Sequence, residues 1–179
     1  MRDSLKLRAQ DANVVVDLHN AAVDLTTVLK VLLEEEIEIA VNAEAEDWEV
    51  TSQSRKMIRA GLWISHIKEL WRVAMLLESL VDPPVSTDLP DQQVKKRADR
   101  CLVVEAVIMN LGLENVWELK PLLNGNEIMS ELGLEKGGPE IKELQAQVRK
   151  WQLCHMTATV EECLEWFRGQ CSNKRQRCS

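Results

Sequence analysis

Residues that favour turns and sheets are scarce in this chain of 179 residues. It has no tyrosine, one phenylalanine, seven glycines and five prolines, and the glycines and prolines stand mostly between periodic segments. This composition predicts a helical protein. No apolar run is long enough to span a bilayer, and no signal-peptide core follows Met1. We therefore expect an intracellular protein without a membrane partner, and the compartment stays open.

Paired cysteines are also missing. The five cysteines are odd in number, and none stands in a Cys-x-x-Cys pair. A structural zinc site needs close-spaced ligand pairs, so we expect none, and a reducing compartment fits best. Cys101 and Cys163 fall on apolar faces of predicted helices and are expected to be core thiols.

Sequence patterns that carry catalysis are absent as well. The chain has no Asp-x-Asp pair of the kind that holds metal ions for nucleotidyl transfer, no P-loop and no Rossmann glycine pattern. His19, His66 and His155 each lack a sequence partner for acid–base or nucleophilic work. We expect no catalytic residue, no metal site and no cofactor bound by this chain.

The net charge of −7 is unevenly distributed. Residues 1–116 carry 13 basic and 20 acidic side chains, whereas residues 117–179 carry 9 of each. An acidic average argues against bulk nucleic-acid binding. It leaves room for local phosphate contacts in the neutral part, which would be weak and sensitive to salt.

Apolar residues at spacings of three and four predict helices over residues 4–33, 54–80 and about 91–111. The fold class we expect is all-α with no sheet, divided into a helical body at 1–116 and a smaller helical tail at 117–168. The predicted inward positions of the three long helices are Leu7, Val14, Leu18, Ala21, Ala22, Leu25, Val28, Leu32, Met57, Ile58, Leu62, Trp63, Ile67, Leu70, Trp71, Ala74, Leu77, Leu80, Val94, Ala98, Cys101, Leu102, Val104, Val107 and Ile108.

Two charged stretches leave alternatives open. Residues 34–50 hold eight acidic side chains, which suit either a solvated surface insertion or an acidic arm that binds a partner. Four cations between Lys95 and Arg100 stand in the first turns of the third helix, where they oppose its dipole. They indicate either a phosphate partner or a solvated face paired with Asp91 and Asp99.

The stretch 121–167 carries the start and stop signals of short helices. Asn124 with Glu127 predicts a capping box, and Gly133 suits the left-handed residue past the helix end. The Gly-Gly pair at 137–138 predicts a hinge that can place φ above zero.

Two further helices are predicted in the tail. Pro139 suits the first residue of one, and Thr159 with Glu162 predicts a second capping box. Residues 169–179 offer no face to bury and are expected to form a disordered basic end. The predicted inward positions are Ile141, Leu144, Val148, Trp151, Val160, Cys163, Leu164 and Phe167.

The Gly-Gly-Pro helix entry predicts an anion site. Free N–H groups and the positive end of a helix dipole point outward there, and phosphate is the usual anion. Residues 142 and 149 lie two turns apart on one face, so their side chains can act together. A Gly-Pro start is also common in helices that bind nothing. The candidate RNA-binding residues are Lys136, Gly137, Gly138, Lys142, Arg149 and Lys150.

The order of these motifs resembles the tail of eukaryotic CCA-adding tRNA nucleotidyltransferases. Residues 121–166 contain Pro-Leu-Leu-Asn-Gly-Asn-Glu-Ile-Met, Leu-Gly-Leu, Gly-Gly-Pro, Trp-Gln-Leu and Thr-Val-Glu-Glu-Cys-Leu-Glu-Trp in that order. Residues 2–7 and 16–19 resemble the opening of the same family's helical body in a plant-like version. Lys142 and Met156 stand where relatives often have Gly and Pro.

This resemblance implies a tRNA-binding body and tail of an enzyme that adds CCA to tRNA 3′ ends from CTP and ATP with Mg²⁺. The tail would hold the elbow of tRNA, formed by the acceptor and TΨC arms, through its backbone. The Gly-Gly-x-x-Arg-Asp and Glu-Asp-x-x-Arg patterns of the family's head and neck are absent. Nucleotides and Mg²⁺ would therefore belong to head and neck partners, and we expect this chain alone to be inactive. The alternative is a helical protein-interaction module without RNA binding.

Overall fold

The computed structural model describes residues 9–33, 51–81 and 91–177. Every regular element among them is helical, so the all-α prediction is confirmed for this part of the chain. The predictions for the opening motif at residues 2–7 and for the acidic stretch at 34–50 lie outside the described residues. The α-helices are α1 (Ala9–Leu33), α2 (Ser52–Ile67), α3 (Trp71–Val81), α4 (Asp91–Asn110), α5 (Gly125–Leu132), α6 (Pro139–Cys154) and α7 (Val160–Arg177), with 3-10 turns at Lys68–Leu70 and Val116–Glu118.

The described residues divide into two compact units. The first unit comprises residues 9–33, 55–81 and 91–118, and the second comprises 51–54 and 119–177. Each has its own set of buried apolar side chains.

The first unit is built on α1, which packs against α3, while α4 packs against both. The indole Nε1 of Trp63 on α2 donates a hydrogen bond of 2.9 Å to the carbonyl oxygen of Ala21. Trp63, Ile67 and Trp71 are buried, as their helical spacing predicted. The buried apolar side chains of the four helices are Ala21, Ala22, Leu25, Val28, Leu29, Leu32, Ala60, Trp63, Ile64, Ile67, Trp71, Ala74, Met75, Cys101, Val104 and Ile108.

The predicted single helix over residues 54–80 is wrong, because the chain breaks between α2 and α3. A 3-10 turn at Lys68–Leu70 separates the two helices, and Lys68 has a left-handed backbone with φ of 56°. A left-handed residue interrupts the regular hydrogen-bond ladder of an α-helix. Ile67 and Trp71 stay buried on either side of the turn. The hydrophobic spacing therefore continues across the break and gives no sign of it.

Two of the four cations near the start of α4, Arg97 and Arg100, contact α3. Arg97 Nη1 donates 2.7 Å to the carbonyl oxygen of Ser79, in the last turn of α3, where helix carbonyls lack partners. Arg100 Nη2 lies 2.7 Å from both carboxylate oxygens of Glu78, which is 3% exposed. Lys95 and Lys96 remain exposed.

Several predicted inward positions of the first unit are exposed instead. The largest departures are Leu102 and Leu80, whose side chains are 64% and 58% exposed. The helical stripes contain more apolar residues than the core of this unit covers, and periodicity alone cannot tell which edge of a stripe is buried. The other exposed members are Val14, Leu62, Val94 and Ala98.

The second unit packs α5 against α6, and α6 against α7. Both predicted capping boxes are confirmed: Asn124 accepts from Glu127 N at 3.1 Å, and Glu127 Oε2 accepts from Asn124 N at 2.6 Å. Thr159 and Glu162 form the same reciprocal pair at the start of α7. Gly133 ends α5 with φ of 68°, as its position predicted. The core cluster consists of Leu123, Ile128, Ile141, Val148, Trp151, Cys163 and Phe167.

The last helix departs from prediction at both ends. Val160, expected inward, is 40% exposed. Where a disordered end was expected from residue 169, α7 continues to Arg177. Cys171 lies one helical turn beyond Phe167 and packs against the same core, so the apolar face is one turn longer than the sequence suggested.

Candidate nucleic-acid interface

The entry into α6 is a helix N-terminus without a side-chain cap. Gly138 is the N-cap, with φ −133° and ψ −174°, and Pro139 occupies the first turn. Pro139 has no N–H, and the N–H of Ile141 donates back to the carbonyl oxygen of Gly138 at 3.1 Å. The Glu140 N–H is therefore the donor that this turn leaves for a ligand.

The glycines of the entry do not form the expected hinge. Among the described glycines, positive φ occurs at Gly112 and Gly133 and not at Gly137 or Gly138. A β-carbon on Gly138 would meet no protein atom within 4 Å, whereas one on Gly137 would lie 3.3 Å from the sulfur of Met129. The backbone at Gly138 is therefore open to close approach from outside the protein.

Lys136 and Lys142 stand on either side of this entry and are both exposed. Three exposed carboxylates, on Glu135, Glu140 and Glu143, occupy the same stretch. The local charge is therefore mixed. Attraction of a phosphate would depend on the donor geometry and the two lysines, and not on a broad positive field.

The remaining two candidates lie further along α6, on the order of 16 Å from the entry. Arg149 is half-buried, and its Nη1 donates 2.9 Å to the carbonyl oxygen of Leu119. Burial lowers the pKa of Arg149, although a guanidinium remains charged at neutral pH. Gln152 Nε2 donates 2.7 Å to the next carbonyl, that of Lys120. Arg149 and Gln152 thus fix the backbone before α5, a role that the sequence did not reveal, and Lys150 is half-buried beside them.

Arg168 on α7 and Glu131 on α5 form a two-bond ion pair with 2.8 Å contacts at Nε and Nη2. The hydrogen bond from Arg168 lowers the pKa of Glu131, and the pKa of Arg168 rises in return.

Burial raises the pKa of the Cys163 thiol to about 11, so it stays protonated and unreactive.

Neither a metal site nor a membrane span emerges from the described residues. No three or more of their His, Cys, Asp and Glu side chains come together in a way that could hold an ion. No helix in this part of the chain combines the length and apolarity needed to cross a bilayer.

His155 is the residue whose setting sequence reasoning missed. Its imidazole stacks on Trp151, with ring centroids 4.4 Å apart and planes 17° apart. The spacing of four between the two residues was the available signal, because such residues share a helix face.

The molecule is thus an all-α protein with an uncapped, lysine-flanked helix entry. Its sequence is similar to tRNA nucleotidyltransferase cca2 of Schizosaccharomyces pombe, with 36% identity over 62 residues. The match covers 35% of this chain and 13% of that protein, so the chain spans a small part of its relative. The match supports a relation between the 62 matched residues and a tRNA nucleotidyltransferase. The plant-like character of the chain stays a prediction. No family model and no solved structure matches the chain.

Proposed function

We propose that this chain is the tRNA-binding body and tail portion of a CCA-adding tRNA nucleotidyltransferase. The observation that carries the proposal is the 36% identity over 62 residues to a protein named a tRNA nucleotidyltransferase. The uncapped entry into α6 supports a phosphate-binding role for the tail. In this role the tail holds the elbow of tRNA by its backbone.

The entry would hold a phosphate through three kinds of contact. The Glu140 N–H donates along the helix axis, the ammonium groups of Lys136 and Lys142 approach from the sides, and the open position at Gly138 admits the sugar–phosphate backbone. Such contacts fix position and shape without reading base sequence. The mixed charge around the entry predicts weak binding, and each phosphate contact that the lysines make adds to its salt dependence.

Nucleotidyl transfer would require partners in this proposal. The head and neck of the parent enzyme would supply the carboxylates that hold Mg²⁺ and the site for CTP and ATP. The isolated chain is expected to add no nucleotide to tRNA, and metal-dependent incorporation of labelled CTP by material free of full-length enzyme would contradict this.

Binding to intact tRNA and to an acceptor-stem hairpin without an elbow tests the proposal. Affinities are measured at about 50 mM and about 200 mM salt, a range over which a few phosphate contacts change affinity strongly. We expect tighter binding of intact tRNA and a loss of affinity at the higher concentration. Equal binding of the two RNAs would contradict binding at the elbow, and no binding of either RNA would contradict the proposed function.

A helical protein-interaction module is the second candidate. The exposed apolar side chains of Leu76, Leu80 and Leu102, on two helices that pack together, favour it. A chain that binds no tRNA but forms a stable complex with another protein through these leucines would support this candidate over the first.

A further inference from the structure

Three aromatic rings form a column where α6 ends and α7 packs beside it. The imidazole of His155 stacks on Trp151 at 4.4 Å, and Trp151 stacks on Trp166 at 5.2 Å with 19° between the planes. Trp151 is 6% exposed, whereas His155 is exposed. The buried ring of Trp151 is therefore the middle of the column, with half-buried Trp166 on one side and exposed His155 on the other.

The exposed ring is held in one orientation. His155 Nδ1 lies 2.9 Å from the carbonyl oxygen of Trp151. A carbonyl oxygen only accepts hydrogen bonds, so Nδ1 carries the proton, and Nε2 of the neutral ring is left as an acceptor. The backbone N–H of His155 also donates to this carbonyl, at 3.1 Å. Stacking and these bonds together remove most of the freedom that a surface histidine has.

We propose that His155 is a stacking platform for an unpaired RNA base, with Nε2 positioned to accept a hydrogen bond from the nucleotide's ribose 2′-hydroxyl. Trp151 covers one face of the imidazole, so a base that stacks on His155 would use the other face of the ring. This inference rests on the proposed function for its biological setting. Its geometry is independent of the α6 entry, which lies at the opposite end of the helix.

A nucleotide is the ligand that this chemistry fits best. Every base presents a flat π-face, and stacking on a protein ring that is already fixed costs little further ordering. The 2′-hydroxyl is the group that separates RNA from DNA, and an acceptor at the ring edge can recognise it. The site would therefore prefer single-stranded RNA over DNA, with little base specificity.

The test uses the full chain and a single-stranded adenosine hexamer that contains a fluorescent adenine analogue, in RNA and DNA forms. Stacking predicts a change in the analogue's fluorescence on binding and tighter binding of the RNA. His155→Ala removes the ring and should weaken hexamer binding by about fivefold or more. His155→Phe keeps the face but not Nε2, so it should retain the fluorescence change and lose the preference for RNA.

Two control variants separate a loss of stacking from a loss of structure and from a general effect of removing a histidine. His155→Gln keeps a donor for the Trp151 carbonyl without a ring, so it should fold like the parent and still lose stacking. His66→Ala changes an exposed histidine of the first unit and should bind like the parent. Parent-like hexamer binding by His155→Gln, or no fluorescence change with the parent, would overturn the inference. Tighter binding of intact tRNA than of the elbow-less hairpin would still leave the proposed function standing in either case.

Discussion

The two units differ in how completely they cover their apolar residues. Thirteen large apolar side chains are exposed among the described residues of the first unit, against two, Leu134 and Val160, in the second. The second unit closes its core with three helices, two of which begin with a full capping box. The second unit therefore covers its apolar residues almost completely, whereas the first unit leaves many apolar side chains on its helices exposed.

Because the second unit has the more completely covered core, we expect the largest loss of stability when the Trp151 ring at the centre of its aromatic stack is removed. Trp151 is 6% exposed and stacked on both sides, so Trp151→Ala should lower the free energy of unfolding by about 3–5 kcal/mol. Leu134→Ala, at a 43% exposed position, should change it by less than about 0.5 kcal/mol. Urea denaturation measures both, and similar losses would show that the core is not where the structure places it.

The ion pairs of the first unit should differ by burial. Arg100→Ala leaves the carboxylate of Glu78 buried without its partner and should cost about 2 kcal/mol, below the usual range because Arg100 itself is 37% exposed. Arg72→Ala breaks a more exposed pair with Glu105 and should cost about 1 kcal/mol or less. An equal cost for the two changes would mean that burial of Glu78 contributes nothing.

Two glycines of the second unit should respond in opposite directions to alanine. Gly133 has φ of 68°, so Gly133→Ala should cost about 1–2 kcal/mol. Gly138 has φ of −133° and open space at the β-carbon, so Gly138→Ala should leave stability unchanged or raise it by about 0.5 kcal/mol. A destabilised Gly138→Ala protein would show that the entry glycine serves the fold and not a ligand.

Local signals explain what the sequence could predict. The caps at Asn124 and Thr159 and the left-handed Gly133 depend on residues three or four apart, so their chemistry is visible in the chain. The contacts of Arg97, Arg100 and Arg149 depend on partners 18 or more residues away in the chain. The break at Lys68 has no signal in the hydrophobic spacing around it. Hydrophobic spacing carries no information about such partners, which is why exposed stripes such as that of Leu102 were assigned to the core.

The smallest effect is expected from the exposed pair of Glu131 and Arg168. Because Arg168 lowers the pKa of Glu131 in the folded protein, the pair stabilises the fold above the carboxyl's ordinary pKa. That contribution is lost as the pH falls through the lowered pKa. Glu131→Gln should therefore lower the melting temperature slightly at neutral pH and converge with the parent in acid. A difference that grows in acid would contradict the sign, and added salt should shrink it.

The salt dependence of tRNA binding by Lys136→Gln/Lys142→Gln tests the central claim most directly. Arg149 is left unchanged because its bond to the Leu119 carbonyl supports the fold. We expect this variant to bind all tRNA sequences more weakly and alike, with a logarithmic salt slope smaller by about one for each lost phosphate contact. The matched control Lys95→Gln/Lys96→Gln, on exposed lysines of the first unit, should keep the parent's affinity and slope. Parent-like affinity and slope in the first variant would contradict phosphate binding at the entry to α6.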